Sequence, residues 1–177
     1  MLNWTEYNTE SIRGNKLFRF LSEKWLLHYV KSGSLWFSRA DKFGDKLECV
    51  RLHEITSSSK PNIVEIEKRK RKHLICCFHE GTKESLAFWD TYSALEVNRR
   101  KYAVVFERNY LVNLINQIKL DDSLSKKVYK LTHGKVKYKT MVGLSDDKLK
   151  EKKVTHVAFR KEGAFAYERE YRFDIQL

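Results

Sequence analysis

Two glutamates near the C-terminus stand two positions apart in Tyr167-Glu168-Arg169-Glu170-Tyr171-Arg172. On an extended strand that spacing sends both carboxylates out of one face, roughly 7 Å apart along the chain. Carboxylates that close push one pKa upward. Such a pair also stabilises a cationic, oxocarbenium-like sugar in a transition state. The plainer alternative is the wet face of an amphipathic strand, tempered by Arg172. Arg19 lies between Phe18 and Phe20, after Leu17. An inward-facing arginine in so apolar a stretch needs an anionic partner, which suits a phosphate or ribose anchor. The alternative is an edge-strand arginine in water. Ser38 closes Leu35-Trp36-Phe37-Ser38. A hydroxyl at a strand end positions a polar ligand, or simply caps a turn.

Cys49, His53, His73, Cys76, Cys77 and His79 raise the question of zinc. Their spacings do not form paired Cys-x2-Cys knuckles, and the adjacent Cys76 and Cys77 should point to opposite faces of a strand. Buried free thiols are the expectation, with no metal. The run Lys68-Arg69-Lys70-Arg71-Lys72 either contacts nucleic-acid phosphates or forms a solvated helix face. Glycine-rich phosphate loops, a Gly-x-Ser-x-Gly elbow and a His-Glu-x-x-His pair are absent from the sequence.

These residues need elements to position them. Leu17–Phe20 suits a short strand. Ser22 caps a helix through about Lys31, with Trp25, Leu26, Tyr29 and Val30 as its buried stripe and Gly33 as its stop. Leu35–Ser38 is expected as a strand, and Leu47–Ile55 and Ile63–Lys72 as helices. The apolar run Leu74–Phe78 reads as a strand buried on both faces. Glu84–Ala94, Tyr110–Ile118 and Ser123–Leu131 read as helices. Tyr102–Phe106 reads as a central strand and Val136–Met141 as an edge strand. From Tyr167 the chain alternates to Leu177, with Glu168, Glu170, Arg172, Asp174 and Gln176 on one face. Helices interleaved with short strands indicate a mixed α+β fold.

The chain of 177 residues suits one domain. Aromatics at 13% argue against disorder. The net charge of +12 favours polyanions: nucleic acid or a phosphate-rich small molecule. No apolar run is long enough to span a bilayer, no secretory signal is visible, and three cysteines make a poor disulfide framework. A reduced, cytoplasmic protein without a membrane partner is the expectation, its oligomeric state open.

Four segments together resemble a bacterial and phage family, domain of unknown function 2971. They are Leu17-Phe18-Arg19-Phe20, the block Gly33 to Asp45, Cys77-Phe78-His79-Glu80 with Phe88-Trp89-Asp90-Thr91-Tyr92, and Tyr167 to Arg172. Gly44, Lys46-Leu47 and Thr91 depart from its pattern. The order of Arg19, Ser38 and a late Glu-x-Glu also resembles, more distantly, the ADP-ribosyltransferases. That resemblance implies a split mixed or antiparallel sheet flanked by helices, with NAD in its cleft. It implies that Arg19 holds ribose and phosphate and that Ser38 supports the nicotinamide ribose. Trp36 or Phe43 would stack on nicotinamide. Glu170 would be the catalytic glutamate and Glu168 the target-facing one. The implied function is NAD-dependent modification of a nucleic acid or protein in phage–bacteria conflict. The alternatives are a basic nucleic-acid-binding or nuclease-type protein without NAD, and an inactive inhibitor that binds a partner protein or nucleotide signal.

Overall fold

The computed structural model describes residues 4–7, 15–51, 54, 62–81, 89, 101–117, 123, 126–139 and 156–177. The apolar run around Cys76 becomes β4 (His73–Gly81), inside a mixed seven-stranded sheet. The sheet runs β1 (Trp4–Tyr7), β6 (Lys130–Lys135), β9 (Glu170–Gln176), β4, β2 (Lys16–Ser22), β5 (Lys101–Glu107). β3 (Ser38–Arg39) pairs with β4 off this path. Among the described strands of this sheet, only β1–β6 is a parallel pair. β7 (Lys137–Lys139) and β8 (Arg160–Glu162) form a separate parallel pair. The α+β expectation therefore holds, with α1 (Glu23–Ser32), α2 (Ile63–Lys70) and α3 (Arg108–Gln117) beside the sheet strands in the chain order.

β4 and β9 are buried on both faces, and each face has its own character. Cys76, Phe78, Tyr171 and Phe173 join Leu17 in an apolar cluster, where α3 contributes Leu111 and Ile115 at helical spacing. On the other face Ile75 packs with Ala40, Cys49, Ala158 and Phe159, and Cys77 sits against that cluster. Cys76 and Cys77 thus do face opposite ways. The second face also carries charge, because Glu170, Arg172 and Asp174 alternate with the aromatics. Register places His79 opposite Glu170, Cys77 opposite Arg172, and Ile75 opposite Asp174. Asp174 is wholly buried, and His73 Nδ1 donates to its oxygens at 3.0 and 3.1 Å.

The C-terminal alternation begins later than expected. Gly163–Glu168 is a 3-10 turn, and Arg169 adopts a left-handed φ of 45° before the strand starts at Glu170. Glu168 is therefore not two strand positions from Glu170. The supposed wet face is buried from Glu170 to Asp174. Other expectations also change. Leu35–Phe37 is irregular, and strand pairing begins only at Ser38. Lys46–Cys49 is a turn, so no helix starts at Leu47. α2 ends at Lys70, capped at its start by Asn62, whose Oδ1 accepts the Glu65 N–H at 3.2 Å. Lys130 and Leu131 belong to β6, not to a helix. Among the described strands β5, expected to be central, lies at the edge of the sheet. Glu84–Ala94, apart from Trp89, lies outside the described residues, as do Ile118, Thr140 and Met141.

Two glycines are required by geometry. Gly33 ends α1 at φ 63°, and its N–H donates to the Tyr29 carbonyl. Gly134 has φ 153°, and a Cβ there would sit 1.8 Å from the Tyr7 carbonyl oxygen. β1 can lie against β6 only because that side chain is missing.

The sheet is split beside β4. β2 pairs with β4 only at Gly81, Glu80 and His79, while β3 pairs with the same edge at Ile75 and Leu74. Between them Arg19 fills the gap. Its Nη1 donates to the Cys77 carbonyl at 2.5 Å and its Nη2 to the Trp36 carbonyl at 3.3 Å.

Candidate functional site

A cavity of about 590 Å3 opens at this split. That size is ordinary for a small-molecule site. Arg19 from β2, Ser38 from β3, Phe43 from the following segment and Glu170 from β9 all line it. These four residues span most of the chain, yet the register of three strands against β4 brings them to one wall. Glu168 and Trp36 do not line it. Glu168 stands behind Lys161, which does. The Trp36 side chain is 56% exposed and lies 5.3 Å from the Trp25 ring, so only its backbone carbonyl serves the site.

Behind the wall is a buried charge network. Arg172 is 1% exposed and spends its guanidinium on two glutamates. Its Nε donates to Glu170 Oε2 at 2.5 Å and its Nη2 to Glu48 Oε2 at 3.1 Å; its Nη1 donates to Glu48 Oε1 and to the Ala158 carbonyl. Lys161 Nζ donates to Glu170 Oε1 at 2.9 Å and also to Glu168 Oε2. The Glu170 backbone N–H donates to the Tyr138 hydroxyl at 2.7 Å. The five charged members are each less than a tenth exposed, so each charge needs its partners.

Three carboxylates face two cations, and a shared proton restores the balance. Burial pushes the Glu168 carboxyl up to about 8, reinforced by its hydrogen bond with Glu170 and by that neighbour's charge. Burial also raises Glu170. Arg172, the hydrogen bond with Glu168 and Lys161 outweigh it and hold Glu170 well below the usual carboxylate range. The proton therefore sits on Glu168, and Glu170 is the anion. Burial lowers the Lys161 ammonium, but the Glu170 carboxylate and the bonds to both glutamates reverse that and raise it. Burial raises Glu48 against the pull of Arg172.

His79 lines the cavity beside the network. Its Nδ1 lies 2.8 Å from the Glu168 carbonyl oxygen, which can only accept, so Nδ1 carries the hydrogen. Burial lowers the pKa of this ring, more than the hydrogen bond raises it, and leaves a neutral imidazole.

Three ionisable wall residues have no ion-pair partner among the described residues. Arg19 bonds only neutral carbonyls, with its guanidinium carbon 5.5 Å from the Phe78 ring centre. Lys42 is exposed and has no partner among the described residues. Asp45 Oδ1 accepts the Leu47 N–H at 2.9 Å, but its Oδ2 is buried without a hydrogen bond. An acceptor in that state calls for a donor.

The basic run on α2 stands apart from the cavity wall. Arg69 is tied to Glu54 at 2.6 and 2.8 Å. Lys70 is buried, with Nζ donating to the Lys46 carbonyl at 3.1 Å. Lys68 pairs with Glu65 at 3.0 Å, and Arg71 lies 3.7 Å from Asp41. Lys68, Arg71 and Lys72 are exposed. Sequence reading singled out one continuous basic face. The fold leaves three exposed cations, because two of the five are consumed inside.

Sequence reading gave no site role to Glu48, Lys161, Lys42, Asp45 or His79, and named Arg172 without placing it in a network. Lys161 had no visible signal, since β8 is three residues long. Among the described residues no group of three or more His, Cys, Asp or Glu is arranged to hold a metal ion, and no helix is long and apolar enough to cross a membrane. No family model, no curated protein and no solved structure matches this chain.

Proposed function

We propose that the cavity binds a nucleotide of the NAD type and that the protein transfers its ADP-ribose to a nucleic acid or protein target. The observation that carries this reading is the convergence of Arg19, Ser38, Phe43 and Glu170 on one cavity in a split sheet. The uncancelled Arg19 and Lys42 suit phosphate, and the unpartnered Asp45 Oδ2 suits a sugar hydroxyl. Phe43 offers an aromatic face for a base ring.

Cleavage of the nicotinamide–ribose bond sends the bonding pair to nicotinamide and leaves positive charge on the sugar carbon. Glu170 is an ionised carboxylate in a water-poor wall, so it opposes that charge more strongly in the transition state than in the ground state. Lys161 and Arg172 hold the carboxylate in place before reaction. Ser38 lies at the end of the split, where its hydroxyl can orient the ribose.

One observation favours a second reading. Both Glu170 oxygens already accept from cations, which weakens the field that the carboxylate offers a ligand. A protein of this design could hold a nucleotide signal without cleaving it. One assay separates the two. Purified protein is incubated with NAD and cell extract, and nicotinamide release is followed. Transfer chemistry gives release that falls at least about a hundredfold in Glu170→Gln and about tenfold in Ser38→Ala, both folded by circular dichroism. Binding of NAD without release supports the second reading. No binding and no release overturns both.

A further inference from the structure

We propose that Lys42 is the anion anchor of the cavity, and that the site selects a phosphate ester over the neutral nucleoside. This rests on the nucleotide reading above and names which residue supplies its charge recognition. The inference comes from a census of the cations on the wall. Arg172 is fully spent on Glu48 and Glu170. Lys161 is spent on Glu168 and Glu170. Arg19 keeps its charge, but its two bonds to the Cys77 and Trp36 carbonyls fix it as a plug in the split sheet. Lys42 alone among the four is exposed and has no partner within the described residues.

Position supports the role. Lys42 ends the short 3-10 turn Ala40–Lys42, whose Ala40 is wholly buried in the cluster beneath the cavity. The neighbouring Asp41 is held by Arg39 at 2.9 Å, so its carboxylate is turned to that pair. The turn is therefore anchored at its base, and the lysine side chain at its end stands exposed to water, where it can meet a phosphate. Arg19 stands on the same wall with its charge uncancelled, and would add to the attraction. On the opposite account the Lys42 ammonium is an ordinary solvated surface charge.

Isothermal titration tests this with ADP-ribose, AMP and adenosine as probes, on wild type, Lys42→Ala and Lys42→Arg. The expected result is that wild type binds AMP and ADP-ribose at least about tenfold tighter than adenosine. Lys42→Ala should lose about tenfold for the two phosphate esters and leave adenosine within about twofold. Lys42→Arg should retain most of the affinity, and added salt should narrow the gap between AMP and adenosine. An unchanged melting temperature in Lys42→Ala is expected, since the side chain has no partner to lose. If Lys42→Ala binds AMP as wild type does, the anchor role is overturned while the nucleotide reading stands. If wild type binds none of the three, the nucleotide reading fails and the anchor role with it.

Discussion

Glu48, Arg172, Glu170, Lys161 and Glu168 meet at and behind the cavity wall, each less than a tenth exposed, and their balance depends on a proton. With Glu168 neutral, two carboxylates face two cations and the cluster carries no net charge. Removal of that proton leaves an uncompensated anion in the interior. The consequence for stability has a definite sign. Glu168 has a folded value of about 8 against an ordinary 4.5, so the folded state holds a proton that the unfolded chain has lost across that interval. Stability is fullest below about pH 4.5 as far as Glu168 is concerned, and falls as pH rises toward 8. Glu170 has the opposite sign, since its depressed value contributes stability above its unfolded pKa that is lost in acid. Three histidines with pKa lowered by burial give the opposite trend, so Glu168 is isolated by comparison: the melting temperature of wild type should fall relative to that of the permanently neutral Glu168→Gln from about pH 5 to pH 8. An identical pH dependence in the two proteins would place the proton elsewhere. At this level the sequence was only half legible. It pointed to Glu168 and Glu170 as a pair. It could not show that their partners come from the segment around Glu48 and from β8, because buried pairing is a tertiary fact that no local spacing encodes.

The elements explain both what could be read and what could not. β4 was visible because a strand covered on both faces must be apolar throughout, and α3 because Leu111 and Ile115 keep helical spacing. The alternation from Tyr167 was misleading at its start. A left-handed Arg169 separates turn from strand, and period-two patterning does not report a local φ. α1 forms where expected, but none of its residues is buried, and Val30 is 69% exposed. Its apolar stripe fixed the element and not the burial. β1 and β8 gave no signal because four- and three-residue strands offer too little pattern. β1 depends on one backbone contact. Gly134→Ala forces a Cβ onto the Tyr7 carbonyl and demands a φ that alanine avoids. A loss of about 3 kcal/mol or more is expected in urea unfolding, with early hydrogen exchange at Trp4–Tyr7. A near-neutral result would mean that β1 does not pair with β6 as described.

For the molecule as a whole, the charge of +12 is distributed differently from a simple polyanion surface. The densest basic run contributes three exposed cations, Lys68 on α2 and Arg71 and Lys72 in the turn after it, and the cavity wall keeps two cations without an ion-pair partner among the described residues. The minority acids hold the centre: Glu48, Glu168 and Glu170 are all buried. Topology creates the site. A strand that pairs with β4 at one end and another that pairs at the other leave a gap, and the gap places Arg19, Ser38 and Glu170 around one cavity. Proton–nitrogen correlation spectra of the whole chain, titrated with NAD, report directly on whether a nucleotide enters there. The expected shifts cluster at Phe18–Phe20, Ser38–Glu48, Cys77–His79, Lys161 and Glu170–Arg172, and leave α2 and α3 still. Shifts confined to α2, or none at millimolar NAD, would contradict a nucleotide site in the split sheet.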